Sequence, residues 1–302
     1  MTEKRQRRAQ YFTGVAIIEH GRAVFTGHYF ALEDTDDLRT TVREIRDGQW
    51  SSRKDVSGIV HAIRFTPRPD WQILLLQRSR ALNRIGEAGV AFEWIDEYGE
   101  GFLMDLRQID SNWYAVGGHH QIWREERGRW SRFDDGVRVA GEPGETKLLL
   151  SIDGLAADDI YTVGFGGIIL HNDGEAWRDL GSPTNCGLQR VLPIAPGEVY
   201  ICGYGNALYR GGRGGWYALT EPDERIVYWD MACFQGQVYV CTKRALYVIV
   251  DDVLEEVTIP VPGPLGFYRL VASETELWTC GDECVLRFDG KNWAQYAYPY
   301  NV

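Results

Sequence analysis

"IYTVGFGGIILHNDGEAW", residues Ile160 to Trp177, reads as an apolar run, a Gly-Gly turn, a second apolar run, an Asp-Gly turn and a tryptophan. Alone, its glycines and its Asp-His-Asn cluster suggest a phosphate cradle or an acid-base centre. The rest of the chain decides otherwise, because the pattern recurs. "VYICGYGNALYRGGRGGW" starts at Val199, "VYVCTKRALYVIVDDVL" at Val238 and "LWTCGDECVLRFDGKNW" at Leu277. From 160 each start falls 39 residues after the last, and "WYAVGGHHQIWREERGRW" from Trp113 has the same form.

Weaker copies fill the N-terminal third. "AVFTGHYFAL" from Ala23 with "VREIRDGQW" ending at Trp50 makes a first unit, and "WQILLLQRSRALNRIGEAGVAFEW" from Trp71 to Trp94 a second. The closing positions are Trp50, Trp94, Trp130, Trp177, Trp216, Leu254 and Trp293, which counts seven units. Each unit also carries an earlier apolar run, such as "KLLLSIDGL" from Lys147, "GLQRVLPIA" from Gly187, "IVYWDMACF" from Ile226 and "GFYRLVAS" from Gly266. Four strands in about 40 residues is a propeller period. One four-stranded sheet leaves a face uncovered, and neighbouring copies cover it.

The expected fold is therefore all-β, a seven-bladed β-propeller with four-stranded blades. A basic tail at 1–10 (Lys4, Arg5, Arg7, Arg8) precedes a single propeller domain at 11–302. Its blades are expected at about 11–55, 56–98, 99–140, 141–183, 184–222, 223–261 and 262–302. The units resemble the propeller repeats of the photosystem II assembly-factor type and, more loosely, Asp-box repeats. That resemblance implies the fold and leaves function open. The Ser of the Asp-box pattern is missing before His171-Asn172-Asp173-Gly174, and the Gly-His and Trp-Asp signatures of WD repeats are not met, since "YWDM" from Tyr228 is read as part of an inner strand.

The repeat absorbs most apparent motifs. Cys202, Cys241 and Cys280 share one register with Val116 and Val163, which marks a small packing site. Cys280-x3-Cys284 lacks the paired spacing of a zinc site, so no metal is expected. Gly117-Gly118 and Gly166-Gly167 are read as hairpin glycines with positive φ, and Asp-Gly pairs as turns that deliver each tryptophan to a blade seam. No HExxH and no G-x-S-x-G occur among the residues, so no cofactor and no catalytic residue are expected.

Composition agrees. The 302 residues are 44% hydrophobic and 13% aromatic, with 34 glycines, as a turn-rich β protein requires. A net charge of −11 argues against nucleic acid as partner and for a basic protein. No apolar run is long enough to cross a membrane as a helix, and no h-region of a secretory signal follows the basic start. A cytoplasmic, monomeric protein with reduced cysteines is expected.

What the repeat does not explain is its loops. Those between second and third strands differ in every unit while the flanking strands repeat. They supply the candidate partner-binding residues His119, His120, Phe165, Tyr204, Asn206, Lys243, Arg244, Asp282 and Glu283. The long insertion Asp134 to Thr146 is a second candidate. These features favour a non-catalytic protein-binding propeller. Its most specific form is an inhibitor or immunity protein for a basic toxin, in a bacterial cell. Two alternatives stay open: a hydrolase at the channel mouth, using Asp105, Asp153, Asp230, Arg107, Arg190, Arg269 or Tyr228, and an assembly scaffold.

Overall fold

The computed structural model describes residues 9–32, 35–67, 69–140, 147–263, 265–282 and 284–301. The chain is an all-β, seven-bladed propeller whose blades are four-stranded antiparallel sheets, with strands hydrogen-bonded in chain order. The strands of successive blades lie within 10–52, 60–94, 103–132, 149–179, 188–218, 230–256 and 269–295. By internal contacts the chain divides into two compact units. The described residues of 1–77, 83–91 and 230–302 form the first, and those of 78–82 and 92–229 the second.

Burial follows strand position within a blade. The second strands are buried along nearly their whole length: Asn112–Gly117, Asp159–Gly164, Glu198–Gly203 and Leu277–Cys280. Covered on both faces, they read as continuous apolar runs, which is why they carry the visible repeat. The fourth strands are the reverse. Gln49–Ser52, Arg129–Arg132, Gly215–Ala218 and Val253–Glu256 expose every residue but one, and that one is Trp50, Trp130, Trp216 or Leu254. Of these, Trp50 and Trp216 pack against core clusters. Trp177 donates its indole N–H to the Phe133 carbonyl of the preceding blade at 2.6 Å.

The core lies between blades. In the second unit one cluster joins Tyr114, Val116 and Ile122 of the third blade to Leu149, Ile152 and Leu170 of the fourth. Another joins Tyr161 and Val163 to Leu188, Val191 and Ile201 of the fifth. In the first unit the first and last blades share Phe12, Phe25, Ile45, Trp278, Cys280 and Tyr298. Each of these two blades is built from its own contiguous strands, so their seam is side-by-side packing. The C-terminal segment reinforces it. Asn301 brackets the Gln10 backbone with bonds of 2.9 and 2.7 Å, Trp50 Nε1 donates to the Ala297 carbonyl at 2.9 Å, and Arg43 Nε donates to the Tyr298 hydroxyl at 3.1 Å.

The turn glycines differ from expectation in one respect. Gly166 and Gly167 have φ of 71° and 77°, as expected, but in the third blade His119 (φ 59°) and His120 (φ 53°) hold the left-handed conformation instead of Gly117 and Gly118. Gly117 serves a different purpose, shared with Gly164, Gly203 and Gly281. A Cβ on any of them would collide with a carbonyl oxygen at the entry to the innermost strand, that of Phe102, Leu148, Gly187 or Gly266. The repeated glycine is required by close backbone approach.

Candidate interaction surface

The loops between second and third strands are tied to the connectors between blades by main-chain hydrogen bonds. In the second unit, His119 N donates to Lys147 O at 2.6 Å, Phe165 N to Leu148 O at 2.9 Å and Asn206 N to Ile226 O at 2.9 Å. In the first unit, Phe267 N donates to Lys243 O at 3.1 Å. Loops and connectors thus form one edge of each group of sheets, and side chains there are aimed by a bonded framework.

In the second unit the structure brings Phe165 and Tyr204 together. Their rings lie 6.1 Å apart with planes 24° from parallel, and Tyr204 meets Trp229 edge-on at 6.0 Å. All three residues are half-buried. Gly187 makes this possible, because a Cβ there would stand 2.8 Å from Phe165 Cδ1 and 3.1 Å from Tyr204 Cδ2. Asn206, with φ of 61°, stitches the adjacent connector down: its Nδ2 donates to Glu221 O at 2.6 Å. His119 is half-buried, whereas His120 is buried, and burial pushes its imidazole pKa down.

In the first unit Lys243 and Asp282 meet as an ion pair at 3.2 Å, and the Lys243 ammonium also stands 5.5 Å from the Tyr268 ring centroid. Hydrogen bonds to Tyr268 and Asp282 raise its pKa. Arg244 is exposed. Glu283 lies outside the described residues, as do 141–146 of the long insertion. The described start of that insertion is well tied: Asp134 is buried and accepts Arg132 Nη1 at 3.1 Å, and Val139 N donates to His119 O at 3.1 Å.

Sequence reasoning missed the aromatic residues of the connectors. Trp229 falls within "IVYWDMACF", read as an early strand, but the innermost strand of the sixth blade begins at Asp230. The preceding segment is a connector, because Tyr228 N donates to Gly203 O at 3.0 Å and Val227 bridges to Tyr204. Phe102 is 44% exposed with the Arg78 guanidinium 3.8 Å above its ring, and Tyr98 is 89% exposed. Connectors do not repeat, so no register flagged these positions. An exposed aromatic in a non-repeating connector was the available signal.

The polar residues of the innermost strands act as inter-blade staples. Asp105 is buried; Oδ1 accepts Leu106 N at 2.9 Å, while Oδ2 accepts Ile152 N at 3.2 Å and Arg190 Nη1 at 3.0 Å. Asp230 takes Met231 N at 2.9 Å and, from the next blade, Leu270 N at 3.0 Å. Asp153 holds Arg107 through both oxygens, at 2.9 and 2.6 Å. Such engagement costs a carboxylate its freedom to approach a substrate. Among the described residues no group of His, Cys, Asp and Glu is arranged to hold a metal ion. The buried cysteines fit the packing role: burial pushes the Cys284 thiol up to about 11 and raises Cys241 and Cys280 as well.

No protein-family model matches the chain. Over 198 residues it is 31% identical to the immune protein Tsi7 of Pseudomonas aeruginosa, a match covering 65% of this chain and 65% of the length of Tsi7. Among solved structures it is similar to the WD40 β-propeller domain of Doa1, with a TM-score of 0.69 at 9% identity over 92% of each chain. It is also similar to YCF48 bound to a D1 peptide, with a TM-score of 0.68 at 12% identity over 96% of this chain and 92% of that one. A virginiamycin B lyase from Staphylococcus aureus, bound to quinupristin, has a TM-score of 0.65 at 12% identity over 93% and 94% of the two chains. These structures share the fold, and the YCF48 likeness agrees with the assembly-factor type of repeat.

Proposed function

We propose that this chain is a non-catalytic binding protein, and specifically an immunity protein that neutralises a basic protein toxin by capping it. The observation that carries the reading is the 31% identity to the immune protein Tsi7. Three features support it. The loops are individual where the strands repeat. The carboxylates that a hydrolase would need are engaged as staples between blades. The net charge of −11 suits a cationic partner, since complementary charge speeds encounter. The proposed setting is the cytoplasm, with the protein a monomer until it meets the toxin.

The test is co-expression with candidate toxins, the product of the neighbouring gene first. Growth should be restored, and the two proteins should elute together at equal stoichiometry by size-exclusion chromatography with light scattering. Raised salt should slow association more than it speeds dissociation. Failure to protect, with both proteins soluble and folded, would overturn the reading. Protection that persists after the Asp105→Asn and Asp230→Asn substitutions, in variants that still fold, separates capping from hydrolysis of a toxin product.

A further inference from the structure

The aromatic arc of the second unit has a chemistry that narrows the partner further. Tyr204 sits on a turn bonded to the connector that follows the fifth blade: Asp223 N donates to Gly205 O at 3.2 Å, and Asn206 Nδ2 to Glu221 O at 2.6 Å. That connector carries Glu221, Asp223 and Glu224. Asp223 is occupied by Arg225 at 2.7 Å, with its own pKa held at about 2 by that bond. Glu221 and Glu224 are exposed, and among the described residues neither makes an ion pair. Two carboxylates without an ion pair therefore sit on the connector that is hydrogen-bonded to the turn carrying Tyr204.

A flat cation satisfies both elements at once. Guanidinium stacks on an aromatic face while donating in its own plane to a carboxylate; ammonium is compact, strongly hydrated and does not stack. The Phe165–Tyr204 centroid separation of 6.1 Å leaves no slot between the rings, so the incoming group lies on their outward faces. The same unit already packs guanidinium this way, with Arg78 3.8 Å from the Phe102 centroid and Arg132 4.5 Å from that of Trp123. We propose that the Phe165–Tyr204–Trp229 arc, with Glu221 and Glu224, is the anchor for an arginine-bearing segment of the protein partner. This deepens the proposed function and rests on it for the identity of the partner.

The probes are fluorescein-labelled oligoarginine and oligolysine peptides of equal length, titrated with the full chain by fluorescence polarisation at physiological salt. Oligoarginine is expected to bind about five- to tenfold more tightly than oligolysine. Tyr204→Leu keeps apolar volume over Gly187 but removes the ring face. It should lose most of that preference while its thermal melt stays near wild type. Glu221→Gln/Glu224→Gln should weaken both peptides alike and flatten the salt dependence. Equal affinity for the two peptides, or an arginine preference that survives Tyr204→Leu, overturns the proposal, as does absence of saturable binding to either. The proposed function fails separately. If the chain still protects against the toxin with Tyr204→Leu at unchanged affinity, the anchor is refuted and the immunity reading stands. If it does not protect at all, the immunity reading is the one that falls.

Discussion

Tyr298 is where the seam between the first and last blades is most open to a quantitative test. It is 4% exposed. Its ring lies edge-on to Phe12 at 5.7 Å and to Trp50 at 5.2 Å, and its hydroxyl accepts from Arg43 Nε at 3.1 Å. Arg43 is itself 4% exposed and also donates to Asp55 at 2.7 Å and to the Tyr29 hydroxyl at 2.6 Å. Tyr298→Phe keeps the ring and removes one acceptor from a buried cation, which costs about 1.5–3 kcal/mol. Tyr298→Ala removes the ring as well. Buried aromatic truncations cost about 3–5 kcal/mol, and the lost bond to Arg43 places this one near the upper end, so about 4–5 kcal/mol is expected. At about 2 °C per kcal/mol for a chain of this size, the melting midpoint should fall by about 8–10 °C. Urea unfolding followed by tryptophan emission gives the free energies directly. Tyr217→Ala, at a ring 75% exposed, is the control and should stay within about 0.5 kcal/mol of wild type. Coupling through Arg43 is read from a double-mutant cycle: Arg43→Met with Tyr298→Phe should cost less than the two changes summed. If Tyr298→Ala costs under about 1 kcal/mol, the seam is not held by this segment and the reasoning is wrong. If Tyr298→Phe costs as much as Tyr298→Ala, the ring packing has been misjudged.

Three further outcomes are expected. Gly203→Ala places a methyl against the Gly187 carbonyl oxygen and should destabilise by about 1–3 kcal/mol, whereas Gly214→Ala meets nothing within 4 Å and should be neutral or slightly stabilising; chemical denaturation compares them. Burial lowers the folded-state pKa of His120, so below the usual histidine pKa the unfolded chain binds more protons than the folded one. The stability present above pH 6.5 should therefore fade as pH drops towards about 5, with a shallower slope in His120→Gln; an unchanged slope would show that His120 titrates normally. Lastly, Cys202, Cys241, Cys280 and Cys284 are buried while Cys186 and Cys233 are half-buried. A thiol-specific chromogenic reagent at about pH 8 should label at most two sites in the native protein and all six in urea; rapid labelling of four or more would contradict the packing assignment.

Much of the architecture was legible because its driving force is local and repeated. A strand buried on both faces must be apolar along its length, so "IYTVG", "VYICG" and "LWTCG" identify themselves. An outer strand with one inward position needs one large apolar residue there, and Trp50, Trp130 and Trp216 supply it. The glycine reading went astray in part because positive φ and close backbone approach both call for glycine, and one chain does not distinguish them. His119 and His120 take the left-handed conformation while Gly117 sits beneath the Phe102 carbonyl. The candidate surface was half legible. Phe165 and Tyr204 stood out as departures from the repeat, but their ring-to-ring contact depends on Gly187 in the connector between their blades.

The amino-acid sequence by itself determined the class of fold and the number of blades, since both follow from the recurrence of apolar runs and closing tryptophans along the chain. Which residues share a surface was decided only by tertiary structure. Asp105 and Arg190 are 85 positions apart and meet at 3.0 Å, which turns a candidate catalytic carboxylate into a staple. Gln10 and Asn301 are 291 apart and fasten the first blade to the last. Trp229 joins Tyr204 because a connector amide bonds to Gly203. Hydrophobic periodicity is a property of neighbours in the chain. A charged pair, a ring stack or a seam is a property of neighbours in space, and in a propeller those are set by how consecutive blades pack.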